Sequence, residues 1–268
     1  MQVKSIILRF KALLKYVSEG ANLLSTICFN FKILPFDEAI HLPFILYGKV
    51  DYHECTRAHE QGGIRCCHCG KLKFGSWKIG CSTYHLSNSN QITRFAVKGT
   101  LILGERGKFY NGSNIEVQEG GELEIGTGTV VGSYSRIICF NHISIGDGVN
   151  ISWECQIFDT NFHYYVNPLG IIRRKDGQVV IEDNVWIGNR VSILKNSVIP
   201  NNSIVASNSL VNKNFSDETY GIIAGIPAVL IKKGYRGEFQ KQRELNEYFL
   251  AHPNEDIVSL REIENLSK

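Results

Sequence analysis

Histidines and cysteines, eight of each, are the side chains of this sequence best suited to metal, thiol or proton-transfer chemistry. Five cysteines fall between Cys55 and Cys81, with His53, His59 and His68 close by. Cys66 and Cys69 form a CxxC, but a zinc site needs a second pair of ligands at regular spacing. That second half is irregular here, so reduced and partly buried thiols are expected instead, with no sign of an oxidising compartment. Cys139 and Cys155 lie within a regular apolar pattern and read as small core residues. One histidine stands apart. His163 ends the run Asp159-Thr160-Asn161-Phe162-His163 and is the only histidine of the segment FDTNFHYYVNPLGIIRRKDGQ. A neutral imidazole suits proton transfer near neutral pH better than the Asp159 carboxylate would.

That segment interrupts a repeat. Ile181, Ile187, Ile193, Ile199, Val205 and Val211 stand six apart without a slip. A helix would show a period near 3.6 and an ordinary strand a period of 2. A strict period of six belongs to the hexapeptide kind of parallel β-helix, in which three hexads close a triangular coil. The fourth residue after each of the first five is Val185, Val191, Ser197, Ser203 and Ser209, so every hexad sends one large and one small side chain inward. Upstream, Val117 and Leu123 keep the step, as do Ile125, Val131 and Ile137. Ile145, Ile151 and Ile157 resume it after a two-residue slip near Phe140 and Asn141. Ile157 and Ile181 are 24 apart, a whole multiple of six. A loop therefore leaves the prism and returns to the same edge, and irregular segments on rigid repeats are where function concentrates.

The rest of the chain reads as caps. Val3, Ile7, Phe10, Leu14 and Val17 share one helical face over residues 3–17, with Lys4, Lys11 and Lys15 on the other. Such a helix packs on the end of a prism or rests on an anionic membrane surface. Residues 31–46 are apolar and proline-punctuated and are expected to cover the first coil. Residues 237–251, and Ile257, Leu260, Ile263 and Leu266 beyond Pro253, predict two short C-terminal helices. The expected organisation is a cap over 1–50, irregular or initial β coils over 51–96, the β-helix over 97–233 and helices over 234–268. A net charge of +3 without a basic aromatic stripe argues against nucleic acid. No stretch of ~20 apolar residues spans a bilayer, and the absence of a signal-cleavage pattern favours the cytoplasm.

The repeats, the looped SWECQIFDTNFH, the following VWIGNRVSIL and the ending AGIPAVLIKK together resemble the hexapeptide-repeat acyltransferases, over residues ~97–233. The nearest likeness is to sugar O-acetyltransferases of the maltose and galactoside type and to acetyltransferases of surface-polysaccharide loci. The resemblance implies an all-β, left-handed parallel β-helix of about seven coils with helical caps, assembled as a homotrimer with sites between subunits. It implies acetyl-CoA as donor, a saccharide acceptor and no metal. His163 would be the general base that takes the hydroxyl proton, with Asp159 or Asn161 orienting its ring. Trp186 would wall the pantetheine arm or acceptor. Gly188 would permit close backbone approach, and the Asn189 amide would donate to the thioester oxyanion. Ser207 and Asn208 stand where related enzymes carry a pantetheine-binding Ala-Gly. Lys213 matches a basic residue after the last regular coil, Pro227 would lie by the adenine, and Lys232 with Lys233 by the phosphates. Tyr134, Ser135 and Trp153 are expected to face outward and shape the acceptor site.

The sequence departs from that pattern in places. Asn201, Asn202 and Asn208 occupy positions where glycine is common, which asparagine's tolerance of left-handed backbone permits. Val229 replaces a basic residue two after the proline. No cysteine or serine is placed as an acyl carrier. N-acetylation of an amino sugar or amine remains open, as does a non-catalytic β-helix scaffold. A metal enzyme of the γ-carbonic-anhydrase kind would need three converging histidines, whereas only His142 and His163 lie in suitable coils. A sugar-nucleotide uridylyltransferase is excluded because no glycine-rich nucleotide domain precedes the repeats.

Overall fold

A computed structural model describes residues 11–56, 62–66, 72–82, 91–239 and 241–266. Residues 3–10 of the expected first helix, together with His59, Cys67, His68 and Cys69 of the cysteine cluster, lie outside them. The chain separates into two units, 1–236 and 237–268. The first is a left-handed parallel β-helix, opposite in hand to the usual parallel crossover.

Its strands form three faces. The first face holds β1 (Phe44–Leu46), β4 (Trp77–Cys81), β7 (Gly107–Tyr110), β10 (Thr129–Val131), β13 (Asn150–Ile151), β16 (Trp186–Ile187), β19 (Ile204–Val205), β21 (Gly221–Gly225) and β22 (Ala228–Lys233). The second holds β2 (Lys49–Asp51), β5 (Ile92–Val97), β8 (Asn114–Val117), β11 (Arg136–Cys139), β14 (Gln156–Phe158), β17 (Ser192–Ile193) and β20 (Leu210–Val211). The third holds β3 (Gly63–Cys66), β6 (Thr100–Leu103), β9 (Glu122–Ile125), β12 (His142–Ile145), β15 (Gln178–Ile181) and β18 (Ser197–Ile199). These strands all pair in parallel except β21 with β22, a hairpin that ends the prism. All six residues of the uninterrupted six-spaced run are buried, as are Val185, Val191, Ser197, Ser203 and Ser209. Each coil thus stacks its large aliphatic groups along the axis, the close-packed arrangement that apolar burial favours.

The ladder begins at Phe44, well before residue 97. In these first coils the interior is filled by Phe44, Trp77, Phe95 and Phe109, with the Trp77 and Phe109 rings 5.0 Å apart. The first coil is covered by α1 (Leu23–Ile33) together with Leu34 and Ala39 from the expected segment 31–46, whose last three residues are themselves β1. Helix α1 is capped by the Asn22 side chain, which accepts from the Ser25 amide. Its buried face then satisfies the open edge of β1. Asn30 Nδ2 donates to the Phe44 carbonyl at 2.8 Å, the Phe44 amide donates to Asn30 Oδ1, and the Leu46 amide donates to Thr26 Oγ1. An unpaired edge that would recruit another strand is closed by side chains. Helix α2 (Phe36–Ala39) follows. No helix among the described residues is long and apolar enough to cross a membrane.

The corners carry left-handed backbone. Gly112, Tyr134, Glu154, Arg190 and Asn208 have positive φ where the first face turns into the second, and Gly128, Gly148, Asn184, Asn202 and Tyr220 where the third turns into the first. Asn201 is not among them. Its Oδ1 instead accepts from the Asp183 amide. The second unit contains α3 (Gln242–Ala251) and α4 (Leu260–Leu266), where Tyr248 Oη donates to Glu255 and Lys241 pairs with Glu264 at 2.9 Å.

Candidate active site

Between β14 and β15 the chain leaves the prism as an ordered hairpin. Thr160 bridges Asp176 and Val166 bridges Ile172, both antiparallel, and Asn167 Oδ1 accepts from the amides of Leu169 and Ile171 at the tip. The hairpin root is stapled to the two-residue slip. Asp159 is fully buried, and its carboxylate accepts from the Phe140 amide at 2.9 Å, the Asn141 amide at 2.7 Å and the Cys139 thiol at 3.5 Å. The Gly177 amide donates to the Asp159 carbonyl, and Asn141 Nδ2 donates to the Gly177 carbonyl. The slip at Phe140–Asn141 frees two amides, and Asp159 takes both.

This corrects the expectation that Asp159 orients His163. Both carboxylate oxygens are spent on the slip, and no hydrogen bond joins Asp159 to the imidazole. Asn161 meets His163 through backbone alone, its carbonyl accepting from the His163 amide at 2.6 Å. What positions His163 is the residue before it. Phe162 adopts positive φ and sets its ring edge-on to Phe140 and Phe158, at 5.7 and 5.6 Å. The imidazole itself is exposed and has no protein partner among the described residues. Lys175 reaches over the rings of Phe140 and Tyr164, fixing the returning strand of the hairpin.

The other candidates gather where the first face turns into the second, a different corner from the hairpin. A Cβ added at Gly188 would stand 2.7 Å from the Ser207 nitrogen, so the coil closes there only with glycine. The Asn189 carbonyl accepts from the Asn208 amide, and Asn189 Oδ1 accepts from Ser207 Oγ at 2.6 Å. The Asn189 amide donates to nothing among the described residues. Ser207 and Asn208 are exposed beside it. Trp186 and Trp153 are 40% and 39% exposed, large for indoles on a packed prism. Tyr134 is half-buried on the same corner. Ser135 corrects its expectation. It is 1% exposed and points inward, its hydroxyl donating to the Ser152 carbonyl and accepting from the Cys155 amide. Glu154 and Arg190, not foreseen as site residues, form an ion pair at 2.6 Å across two stacked left-handed turns of this corner.

Towards the C-terminal end the cations are exposed but not idle. Lys213 lies over the Phe215 ring, Lys232 over the Tyr235 ring, and Lys233 pairs with Glu218 at 3.0 Å. Pro227 is exposed at the β21–β22 turn. The buried thiols are poor nucleophiles. Burial pushes Cys55, Cys81 and Cys155 up to about 11, and burial with the Asp159 carboxylate raises Cys139 further. Among the described residues one group of metal-capable side chains gathers, Glu122, Glu124 and His142 on the third face, with a single imidazole.

A left-handed prism of six-residue repeats, broken by one stapled hairpin, defines the structural class. The stretch 178–213 matches the family described as bacterial transferase hexapeptide (six repeats). A relative from Klebsiella pneumoniae, an uncharacterized 24.8 kDa protein in the cps region, is 30% identical over 155 residues, covering 55% of this chain and 67% of its own. The chain belongs to the hexapeptide-repeat family of bacterial transferases. Among solved structures it is similar to the polysialic acid O-acetyltransferase OatWY (24% identity, TM-score 0.41, 69% of this chain and 98% of that one). It is also similar to AntD, an N-acyltransferase from Bacillus cereus in complex with dTDP and 3-hydroxybutyryl-CoA (16% identity, TM-score 0.42, 79% and 89%). The fold assignment stands on the repeat and the strand ladder, not on these superpositions.

Proposed function

We propose that this protein transfers an acetyl group from acetyl-CoA to a saccharide hydroxyl, with a surface-polysaccharide precursor as the acceptor class. The observation that carries the reading is the hairpin: a root stapled to the prism that presents one unpartnered imidazole, His163, to solvent. In the proposed reaction the acceptor oxygen attacks the thioester carbonyl while His163 takes its proton. The oxyanion accepts from the free Asn189 amide, a donor already in place before charge develops. Collapse breaks the carbon–sulfur bond, and the leaving thiolate takes the proton from the imidazolium. Transfer is direct, in keeping with the raised thiols of Cys55, Cys81, Cys139 and Cys155. Trp186 and the exposed Ser207–Asn208 turn would line the pantetheine arm, and Lys213, Lys232 and Lys233 the phosphates, with Pro227 by the adenine. Tyr134 and Trp153 would face the acceptor.

His163 and Asn189 stand on different corners of one chain, which supports a homotrimer whose site is shared between neighbours. The test is a screen of saccharides with acetyl-CoA, followed by free-thiol release and by mass of the product. Hydroxyl-only acceptors should be acetylated, and His163→Ala should bind CoA normally yet lose about 100-fold in transfer. Turnover confined to amino sugars would replace O-transfer by N-transfer. Near-normal turnover in His163→Ala would remove the proposed base.

A further inference from the structure

On the outer side of the first face, at the N-terminal end, the chain forms an open cavity of about 590 Å³ against β1, β4 and β7. That size suits a sugar ring rather than a lone ion. Its floor is bare backbone. Gly80 sits at a bulge between Ile79 and Cys81 with φ +76°, and a Cβ there would stand 2.3 Å from the Tyr47 carbonyl oxygen. Lys78 and Lys108 face each other in register on β4 and β7. Lys78 is 3.5 Å from Glu19, whereas Lys108 is exposed and has no ion-pair or hydrogen-bond partner among the described residues.

One buried donor on the wall has nothing to bind among the described residues. Asn111, 6% exposed, uses Oδ1 to accept from Ser133 Oγ, and its Nδ2 is left without a partner. The Tyr47 hydroxyl, in a residue 8% exposed, stands beside the Glu19 carboxylate. Burial, with Glu19 beside it, holds Tyr47 in its protonated, donating form. Leaving such a group unpaired is costly, so a native structure that does so in the wall of a cavity is built to receive an acceptor. With Glu19 already paired to Lys78, the wall carries one surplus positive charge. It therefore matches a monoanion better than a phosphate dianion.

Position says what bears that anion. Asn111 starts the corner that runs to the candidate site: its carbonyl accepts from Tyr134, that of Ser133 from Glu154, and that of Trp153 from Arg190, the neighbour of Asn189. Three coils at ~4.8 Å each separate the cavity from Asn189, about 14 Å. We propose that this cavity seats the carboxylate-bearing sugar of an acidic oligosaccharide whose other end reaches the transfer site. The oligosaccharide's role as acceptor rests on the function proposed above. Its binding does not.

The test is calorimetry on the full chain without acetyl-CoA, using a tetrasaccharide of alternating glucuronic acid and N-acetylglucosamine, its carboxyl-reduced neutral counterpart, and inorganic phosphate. The acidic tetrasaccharide should bind, and the reduced form should bind about tenfold more weakly, the scale of one charged hydrogen bond. Lys108→Ala, at an exposed position that does not threaten folding, should weaken the acidic form to a similar degree, and Tyr47→Phe should weaken it less. His163→Ala should bind it like wild type. Equal affinity for the two tetrasaccharides, no effect of Lys108→Ala, or displacement by phosphate at comparable concentration would each overturn the proposal. Binding without any acetyl transfer would instead count against the proposed function, leaving the cavity assignment intact.

Discussion

Asp159 shows how a residue beside a catalytic candidate can serve the scaffold instead. From sequence it reads as a partner for His163, because it stands four residues away on the same loop. In the structure it neutralises a fault in the repeat, and the fault was itself visible as the two-residue slip at Phe140–Asn141. One coil separates that slip from Asp159, so the two meet across the ladder. Asp159→Ala would leave two buried amides without an acceptor, at about 1–3 kcal/mol each. The expected result is a clear fall in the midpoint of thermal unfolding, and hydrogen exchange should show loss of protection at Phe140 and Asn141. An unchanged midpoint would mean that water replaces the carboxylate. Ser135 was equally legible. It is the fourth residue after Val131, the same inward position that Cys155 holds after Ile151. The rule read from the later hexads already placed it inside.

At the scale of elements, the aliphatic strands were readable and the corners were not. A strand of this fold needs only the alternation of one large and one small inward group, and residues 181–211 state it five times. A corner needs positive φ, which glycine and asparagine advertise but Tyr134, Glu154 and Arg190 do not. These three pay a strain of roughly 1–3 kcal/mol each, of a kind that gathers near functional sites. The hairpin was legible as an interruption of the period, but its inner pairing of Thr160 with Asp176 was not, since neither flank alternates. The β21–β22 hairpin carries its own prediction. Lys232 is exposed on β22, and its attraction for CoA phosphates should be screened by salt. Lys232→Glu should weaken CoA binding in calorimetry at low ionic strength, and the difference from wild type should shrink as salt is raised. Equal affinities at low salt would move the phosphates elsewhere.

For the molecule as a whole, period six announced the prism but not where it starts. The N-terminal coils fill their interior with Phe44, Trp77, Phe95 and Phe109, rings wide enough to break the one-aliphatic-per-hexad rule, so the ladder before residue 97 leaves no repeat in the sequence. The geometry of the finished prism also constrains assembly. The hairpin leaves from the corner between the second and third faces, whereas Gly188, Asn189 and the first-face strands that carry Trp186 and Lys232 lie around another. Its outer portion exposes Val166, Leu169 (82% exposed) and Ile172, apolar surface that a neighbouring prism would cover. In the proposed homotrimer a threefold axis parallel to the prisms would set each hairpin against the next chain, so that His163 of one subunit would serve the donor groove of another. Two defective chains should then rescue each other. Co-expressed His163→Ala and Lys232→Glu chains, assayed at low salt and sub-saturating acetyl-CoA, would form some interfaces with an intact histidine from one chain and an intact lysine from the other. Random mixing makes these about a quarter of all sites. Transfer should recover to that level, while the same two proteins purified separately and mixed without exchange stay inactive. Sedimentation equilibrium should report three chains per particle in every case. No recovery in verified mixed trimers would place both residues in a site built by a single chain.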